Sequence, residues 1–450
     1  MASGGQAPGP RGALLLGSLR AFREDPVGLL VAAHRDHGDV VRLRLGPTVA
    51  HLLSHPRGIR HVLQTRHPIY TKNTPGVVRL RDFLGNGLLT SDGDFWRKQR
   101  RTAQPAFHRE RIQAFASLMS TATGQMLDAW DRRLEAGSAR IDIAEEMMAL
   151  TLRIVAEALF GAEVGSTTHA VGEALEVVLQ VTNARVKRVV GLPRFLPTPE
   201  NRRFRRAVGV LDGVVEAMVG ARRTAEARDD LLSMLVAARD PETGRGMDDR
   251  QLRDEILTVL LAGHETTANA LTWSLYLLSR HPEEQVRLEE EVDRVLGGRA
   301  PTLDDLGSLT RASLVVQEAM RLYPPAWLFG RSPTEDDEVD GYRIEAGSLV
   351  FLSPYVTQRR PDLWPEPERF LPDRFAGASA ASLDRFAYFP FGGGPRQCIG
   401  LAFANLEMQI VMARLAGRYR LRLAPDARVD IEPLVTLRPR HGMPMIASPR

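Results

Sequence analysis

The stretch "MDDRQLRDEILTVLLAGHETTANALTWSLYLLSRHPE", residues 247–283, constrains the fold more than any other. Its helical part runs for about 32 residues, roughly 48 Å at 1.5 Å per residue, enough to cross a whole molecule. The middle of the run is apolar on every side, and such a helix is stable only when buried all round. A large body must therefore wrap around this one element, and 450 residues can supply it. No Ser/Gly tract, single-sign charge block or internal repeat divides the chain. Residues 13–450 are thus expected to form a single domain behind a flexible, Gly/Pro-rich segment, 1–12.

The rest of the pattern is mostly helical. Asp25 and Pro26 cap and open a helix over "VGLLVAAHRDHG". "DVVRLRLGPTVAHLLS" alternates around Gly46-Pro47 as a hairpin does. From 56 to 239 the chain reads mainly helical, except 66–93, where Pro, Gly and Asn scattered among apolar residues suggest a loop. Short helices are expected at 282–297 and 310–323, and strands within 341–352. A proline-rich irregular run at 360–373 precedes a last amphipathic helix, "IGLAFANLEMQIVMARLAGRY". The class is mainly α with a small β region.

Composition excludes several roles. The N-terminal apolar run in "RGALLLGSLRAF" is far shorter than the roughly 20 residues of a membrane span, so no membrane anchor is expected. A net charge of +4, without zinc spacing, basic arm or Gly-Lys phosphate loop, argues against nucleic acid. One cysteine precludes an intrachain disulfide and fits a reducing cytoplasm.

That cysteine, Cys398, lies in "FPFGGGPRQCIG", residues 389–400. An inert cysteine usually hides in an apolar helix or strand. Glycines, a proline and an arginine instead place this one at a sharp turn. As a haem ligand, its thiolate would lie at the N-terminus of a helix beginning near Ile399, where unpaired amides support negative charge. Gly392, Gly393, Gly394 and Gly400 would allow positive φ and close approach of a flat macrocycle. Phe391 could pack beside ring and sulfur, and Arg396 offers a cation for a propionate. For a cysteine seen alone, a buried thiol near a turn is the competing reading.

Phe391, Gly394, Arg396, Cys398 and Gly400 complete the pattern F-x-x-G-x-R-x-C-x-G. This resembles the cysteine-ligand loop of the cytochromes P-450, the haem-thiolate monooxygenases, and the resemblance extends over essentially the whole chain. It implies the cytochrome P-450 fold, with haem b (iron protoporphyrin IX) held by the Cys398 thiolate and buried between the long central helix and the cysteine-loop helix.

Other motifs stand where the resemblance requires them. "AGHETT", Ala262–Thr267, is centred on the long helix. A zinc reading of His264-Glu265 fails, because the second histidine would fall at Ala268. Thr266 can bond back to the Ala262 carbonyl and open the helical ladder beside Gly263. By resemblance, Thr266 and Glu265 are the alcohol and acid that handle protons in oxygen activation. "EAMR" pairs Glu318 with Arg321 at i, i+3, and "PERF" adds Arg369; the resemblance implies that the three form a structural lock. Glu291 and Arg294 share that spacing and read as a solvated pair. "WRKQRR" sets Trp96 and Arg100 on one helical face, and with Arg331 they match propionate-binding positions. Arg97, Lys98 and Arg101 read mostly as solvated charge that could also dock an acidic electron donor.

The resemblance implies a cytoplasmic monooxygenase, expected as a monomer, that inserts one atom of O2 into a C–H or C=C bond of a lipophilic small molecule. Secondary-metabolite, terpenoid and fatty-acid types are the expected substrates. Electrons are expected from a separate ferredoxin or flavodoxin with its reductase. The 74–90 stretch, Leu261, Ala262 and Thr266 of the long helix, Ala326–Phe329 and the turn near Leu434–Leu437 are the candidate pocket segments. A peroxide-driven or redox-neutral haem-thiolate enzyme, or a non-catalytic haem sensor, would need no Glu265–Thr266 pair.

Overall fold

The computed structural model describes residues 4–450 apart from 138, 161–164, 188–195, 225–229 and 378–382. It is mainly helical with small sheets, as the sequence pattern requires. The chain packs as two compact units, each assembled from segments distant in sequence.

The first unit comprises 1–79, 320–398 and 433–437. Its sheet has the strand order Val40–Leu45, Thr48–Leu53, Leu349–Leu352, Phe329–Pro333, Tyr70–Thr71. The first two strands form the expected hairpin, with Leu45 opposite Thr48. Gly46 turns the chain at φ 65°. Thr48–Leu53 then runs parallel to Leu349–Leu352. Leu53, Ile59, Val62, Leu63, Phe386 and Phe389 form the core beside the cysteine loop. The helix Pro26–His37 starts where its cap predicts, with Asp25 accepting from the Gly28 amide at 2.9 Å. Within 4–12 the backbone is irregular and makes hydrogen bonds to other segments. The Gly5 amide donates to Gly341, the Arg42 amide donates to Pro8, and Ala7 is buried.

The second unit comprises 80–319, 399–432 and 438–450. Its axis is the 32-residue helix Asp249–Arg280, opened by a capping box between Asp248 and Gln251. This helix packs along Ile143–Phe160 and against Leu401–Ala416. The all-round apolar middle is explained by that enclosure: Leu260, Leu271 and Trp273 are wholly buried.

One expected loop is partly a helix. Pro75–Leu84 lies inside 66–93, with Leu80, Phe83 and Leu84 buried on one side. Pro75 and Gly76 suggested a loop, but proline at the first helical position is a start signal, since its missing N–H is not needed there.

Candidate active site

The cysteine loop belongs to the first unit. Its backbone folds over the Phe386–Phe389 core, and a Cβ on Gly393 would come within 2.5 Å of the Phe386 ring. At Gly394, φ is 64° and a Cβ would lie 1.9 Å from the Leu63 carbonyl oxygen, so no other residue fits. A short 3-10 turn, Gly394–Arg396, carries half-buried Arg396 to the bend. The Cys398 amide then donates to the Phe391 carbonyl at 3.0 Å, and Cys398 is exposed. The loop thus packs its backbone inward and presents the thiol outward. Two expectations need correction. The following helix begins at Leu401 with Gly400 as its N-cap, two residues later than the expected start near Ile399. Gly400 sits at φ −83° and Gly393 at −164°, so only Gly392 and Gly394 use glycine's positive-φ freedom.

Arg321 and Gln358, both fully buried, fix the approach to this loop. The Arg321 guanidinium donates to the carbonyls of Gln358, Pro367 and Arg369 at 2.8, 2.7 and 3.0 Å, and lies over the Trp364 ring. Gln358 donates to the Met320 and Arg321 carbonyls, and its own oxygen accepts from the Phe389 amide at 3.1 Å. Arg369 is placed differently from expectation. Its side chain is 62% exposed and pairs with Glu366, and only its carbonyl serves Arg321. Sequence reasoning missed Gln358 because an isolated glutamine in an irregular run carries no signal. Arg331, also in this unit, is buried and donates to the Gly330 carbonyl at 2.9 Å. Trp327 bonds the Leu434 carbonyl and Leu437 bonds Pro325, bringing together two of the expected pocket segments.

In the second unit, the long helix is buried through its middle except along one stripe. Val259, Gly263 and Thr266 are half-buried and Ala262 is exposed, while Glu265 on the adjoining side is buried. The Thr266 hydroxyl donates to the Ala262 carbonyl at 2.6 Å. The helix is continuous through this point. Gly263 serves helix packing, since a Cβ there would meet Val155 at 3.0 Å. His264 is buried neutral, its pKa lowered by desolvation, with Nδ1–H donating to the Leu260 carbonyl at 2.7 Å. From the neighbouring helix, the buried Thr151 hydroxyl lies 3.0 Å from the His264 carbonyl, a contact no sequence pattern announced.

Helix Gly93–Ala103 buries Trp96 and leaves Arg100 half-buried on the same side. Its outer charges are engaged locally: Arg97 pairs with Asp94, and Arg101 with Asp240 and Glu242. Glu291 also departs from its solvated reading, because it accepts from Thr310 Oγ1 and the Arg311 amide and so caps helix Thr310–Leu322. Glu318 on that helix is fully buried.

These features define a class: a large, mainly helical protein with its one thiol presented from a glycine loop, and an acid–alcohol pair in its longest helix. The family model described as Cytochrome P450 matches residues 7–444, and the chain belongs to that family. It is 40% identical over 445 residues to a protein named Cyclooctatin synthase from Streptomyces melanosporofaciens, covering 98% of this chain and 93% of that one. Cyclooctat-9-en-7-ol 5-monooxygenase from the same organism is 39% identical, covering 99% and 95%. Pentalenene oxygenase of Streptomyces avermitilis is 38% identical, covering 88% and 87%. The protein is an oxygen-incorporating oxidoreductase of the kind that uses lipophilic substrates, O2 and redox partners. Family membership implies haem with cysteine thiolate ligation. The exposed thiol, glycine-lined bend and nearby arginine suit such a group.

Proposed function

We propose that this chain is a terpenoid monooxygenase that oxidises a polycyclic or olefinic hydrocarbon skeleton. The presentation of Cys398 by its glycine loop carries the haem-thiolate part of this reading. The names of three relatives that align along most of their length support the substrate class.

Cys398 would hold haem b, with Trp96, Arg100, Arg331 and Arg396 binding its propionates and Phe391 flanking the ring. When bound, that group supplies dioxygen activation and transfer of one oxygen atom into the substrate. The chain's own part is proton control. With its hydrogen committed to the Ala262 carbonyl, Thr266 Oγ1 keeps its lone pairs available to accept from water. Glu265, buried beside it, is the acid that recharges that water. Ala262 has only a methyl group, which leaves room on the exposed stripe. Glu318 and Arg321 act structurally. A separate ferredoxin or flavodoxin with its reductase supplies electrons to a cytoplasmic monomer.

The first test is the carbon monoxide difference spectrum of the dithionite-reduced, haem-loaded protein. A strongly red-shifted Soret band that disappears in Cys398→Ser is expected; a histidine-like band would overturn the ligand assignment. Thr266→Ala should keep that band but divert electrons to hydrogen peroxide, and unchanged coupling would refute its role. Cyclic terpene olefins should shift the ferric Soret band at concentrations where fatty acids do not. The reverse preference would overturn the substrate class.

A further inference from the structure

The N-terminal turn carries three consecutive leucines that the oxygenase reading leaves unused. Leu14 is 90% exposed, Leu15 82% and Leu16 50%. Among the described residues, the other exposed large hydrophobics are scattered along the sequence and none exceeds 41%, the value at Val286. The turn is built, not frayed. Ala13 and Gly17 exchange both backbone hydrogen bonds, at 3.1 and 2.8 Å. The Ser18 amide donates to Arg44 at 2.7 Å, and the Gly46 amide to Leu16 at 3.0 Å. Gly17 has φ 56°, and a Cβ there would lie 2.2 Å from the Arg44 carbonyl oxygen. The Arg44 guanidinium closes the base, donating to the carbonyls of Ala13, at 2.6 Å, and Leu14. Backbone bonds and an obligatory glycine thus hold three apolar side chains out in water.

We propose that Leu14–Leu16 is a lipid-docking tip that seats the protein on an anionic membrane surface. Exposed Arg11, Arg20, Arg23 and Arg44 flank it. Of the nearby acids, Glu24 pairs with Arg20, and Asp25 is engaged as a helix cap. Four arginines against these two carboxylates leave this stretch net positive. Three side chains on a protruding turn bury far too little for a stable protein interface, which takes about 800 Å² per partner. A bilayer needs no shaped partner: leucines enter the acyl boundary while arginines at the base meet lipid phosphates. This peripheral contact is compatible with no helix among the described residues being long and apolar enough to span a membrane. It does not depend on the reaction assigned above.

The test uses the full-length, haem-loaded protein and sedimentation with vesicles of phosphatidylcholine alone or with about 30% phosphatidylglycerol. Binding to the anionic vesicles, weakened by salt, is expected. Leu14→Asp with Leu15→Asp should reduce it at least tenfold, with the carbon monoxide spectrum and melting midpoint unchanged. Arg11→Gln with Arg23→Gln, which leaves the leucines in place, should reduce it severalfold and only on anionic vesicles. Absence of wild-type binding, or equal binding by both variants, would overturn the proposal. So would a concentration-dependent dimer in sedimentation velocity that the leucine variant abolishes, because the tip would then serve a second copy.

Discussion

Glu255 offers a prediction whose size follows from its surroundings. It is 1% exposed on the long helix, with one carboxylate oxygen accepting from the Leu88 amide at 3.0 Å. The other oxygen is buried and has no hydrogen-bond partner among the described residues. Beside it, Asp254 accepts from the Asn86 amide at 2.7 Å. The 85–88 strap lies so close that a Cβ on Gly85 would touch the Asp254 carboxylate at 2.2 Å. Desolvation first, and repulsion from Asp254, push the Glu255 pKa from its ordinary 4.5 up to about 8, against the pull of the Leu88 amide. Because the folded value is raised, the folded state binds a proton that the unfolded state has lost. Stability therefore falls as pH rises from 4.5 towards 8 and levels off above. At about 1.4 kcal/mol per pH unit, the cost reaches roughly 3 kcal/mol near pH 7 and 5 kcal/mol at pH 9. Glu255→Gln keeps an acceptor for Leu88 and removes the titration. Unfolding entropy is about 2 cal/mol/K per residue, so a chain of this length shifts by roughly 1 °C per kcal/mol. Melting of the haem-loaded variant and wild type, followed by circular dichroism from pH 5 to 9, should give curves that nearly meet at pH 5. They should diverge by several degrees in favour of the variant at pH 8. Parallel curves would refute the reasoning, because they would mean that Glu255 does not titrate in this range.

Three further outcomes follow from other buried groups. Arg321→Ala strands three carbonyls, each worth about 1–3 kcal/mol when left unpaired, and should yield protein that fails to hold haem, whereas Arg369→Ala should express and absorb like wild type. Both are read from the absorbance ratio of haem to protein. Glu407 is wholly buried with neither carboxylate oxygen hydrogen-bonded among the described residues, and burial alone holds its pKa well above the usual carboxylate range. Glu407→Gln should therefore stabilise the protein increasingly as pH rises above that range, and a melting difference that shrinks with pH would contradict this. Thr151→Val removes the hydroxyl beside the His264 carbonyl and should raise peroxide formation per electron consumed. Thr151→Ser should restore the coupling; equal coupling in all three proteins would leave Thr151 with a packing role only.

What the sequence disclosed, and what it hid, divides along a physical line. The long helix was legible because burial on every side demands apolar residues on every side, and Asp249–Arg280 is what that demand produces. Cys398 stood out because the family implies a cysteine thiolate and this sequence has a single cysteine, set in a glycine-rich loop. Elsewhere the main chain does the work, and residue identity misleads. Arg369 matched a motif through its guanidinium, yet it serves Arg321 through a carbonyl that any residue possesses. Glu291 shared the i, i+3 spacing of an ion pair but bonds an amide and a hydroxyl in the next helix. Pro75 and Gly76 looked like loop residues because the rule weighed their side chains, whereas the helix start there needs only an absent N–H. Gln358 and Thr151 bond carbonyls supplied by other segments, contacts that exist only after the chain has folded. Motif reading is thus strong where a side chain reacts and weak where it holds a backbone in place. The substitutions that separate the two are those that keep a residue's shape while removing the one atom that bonds.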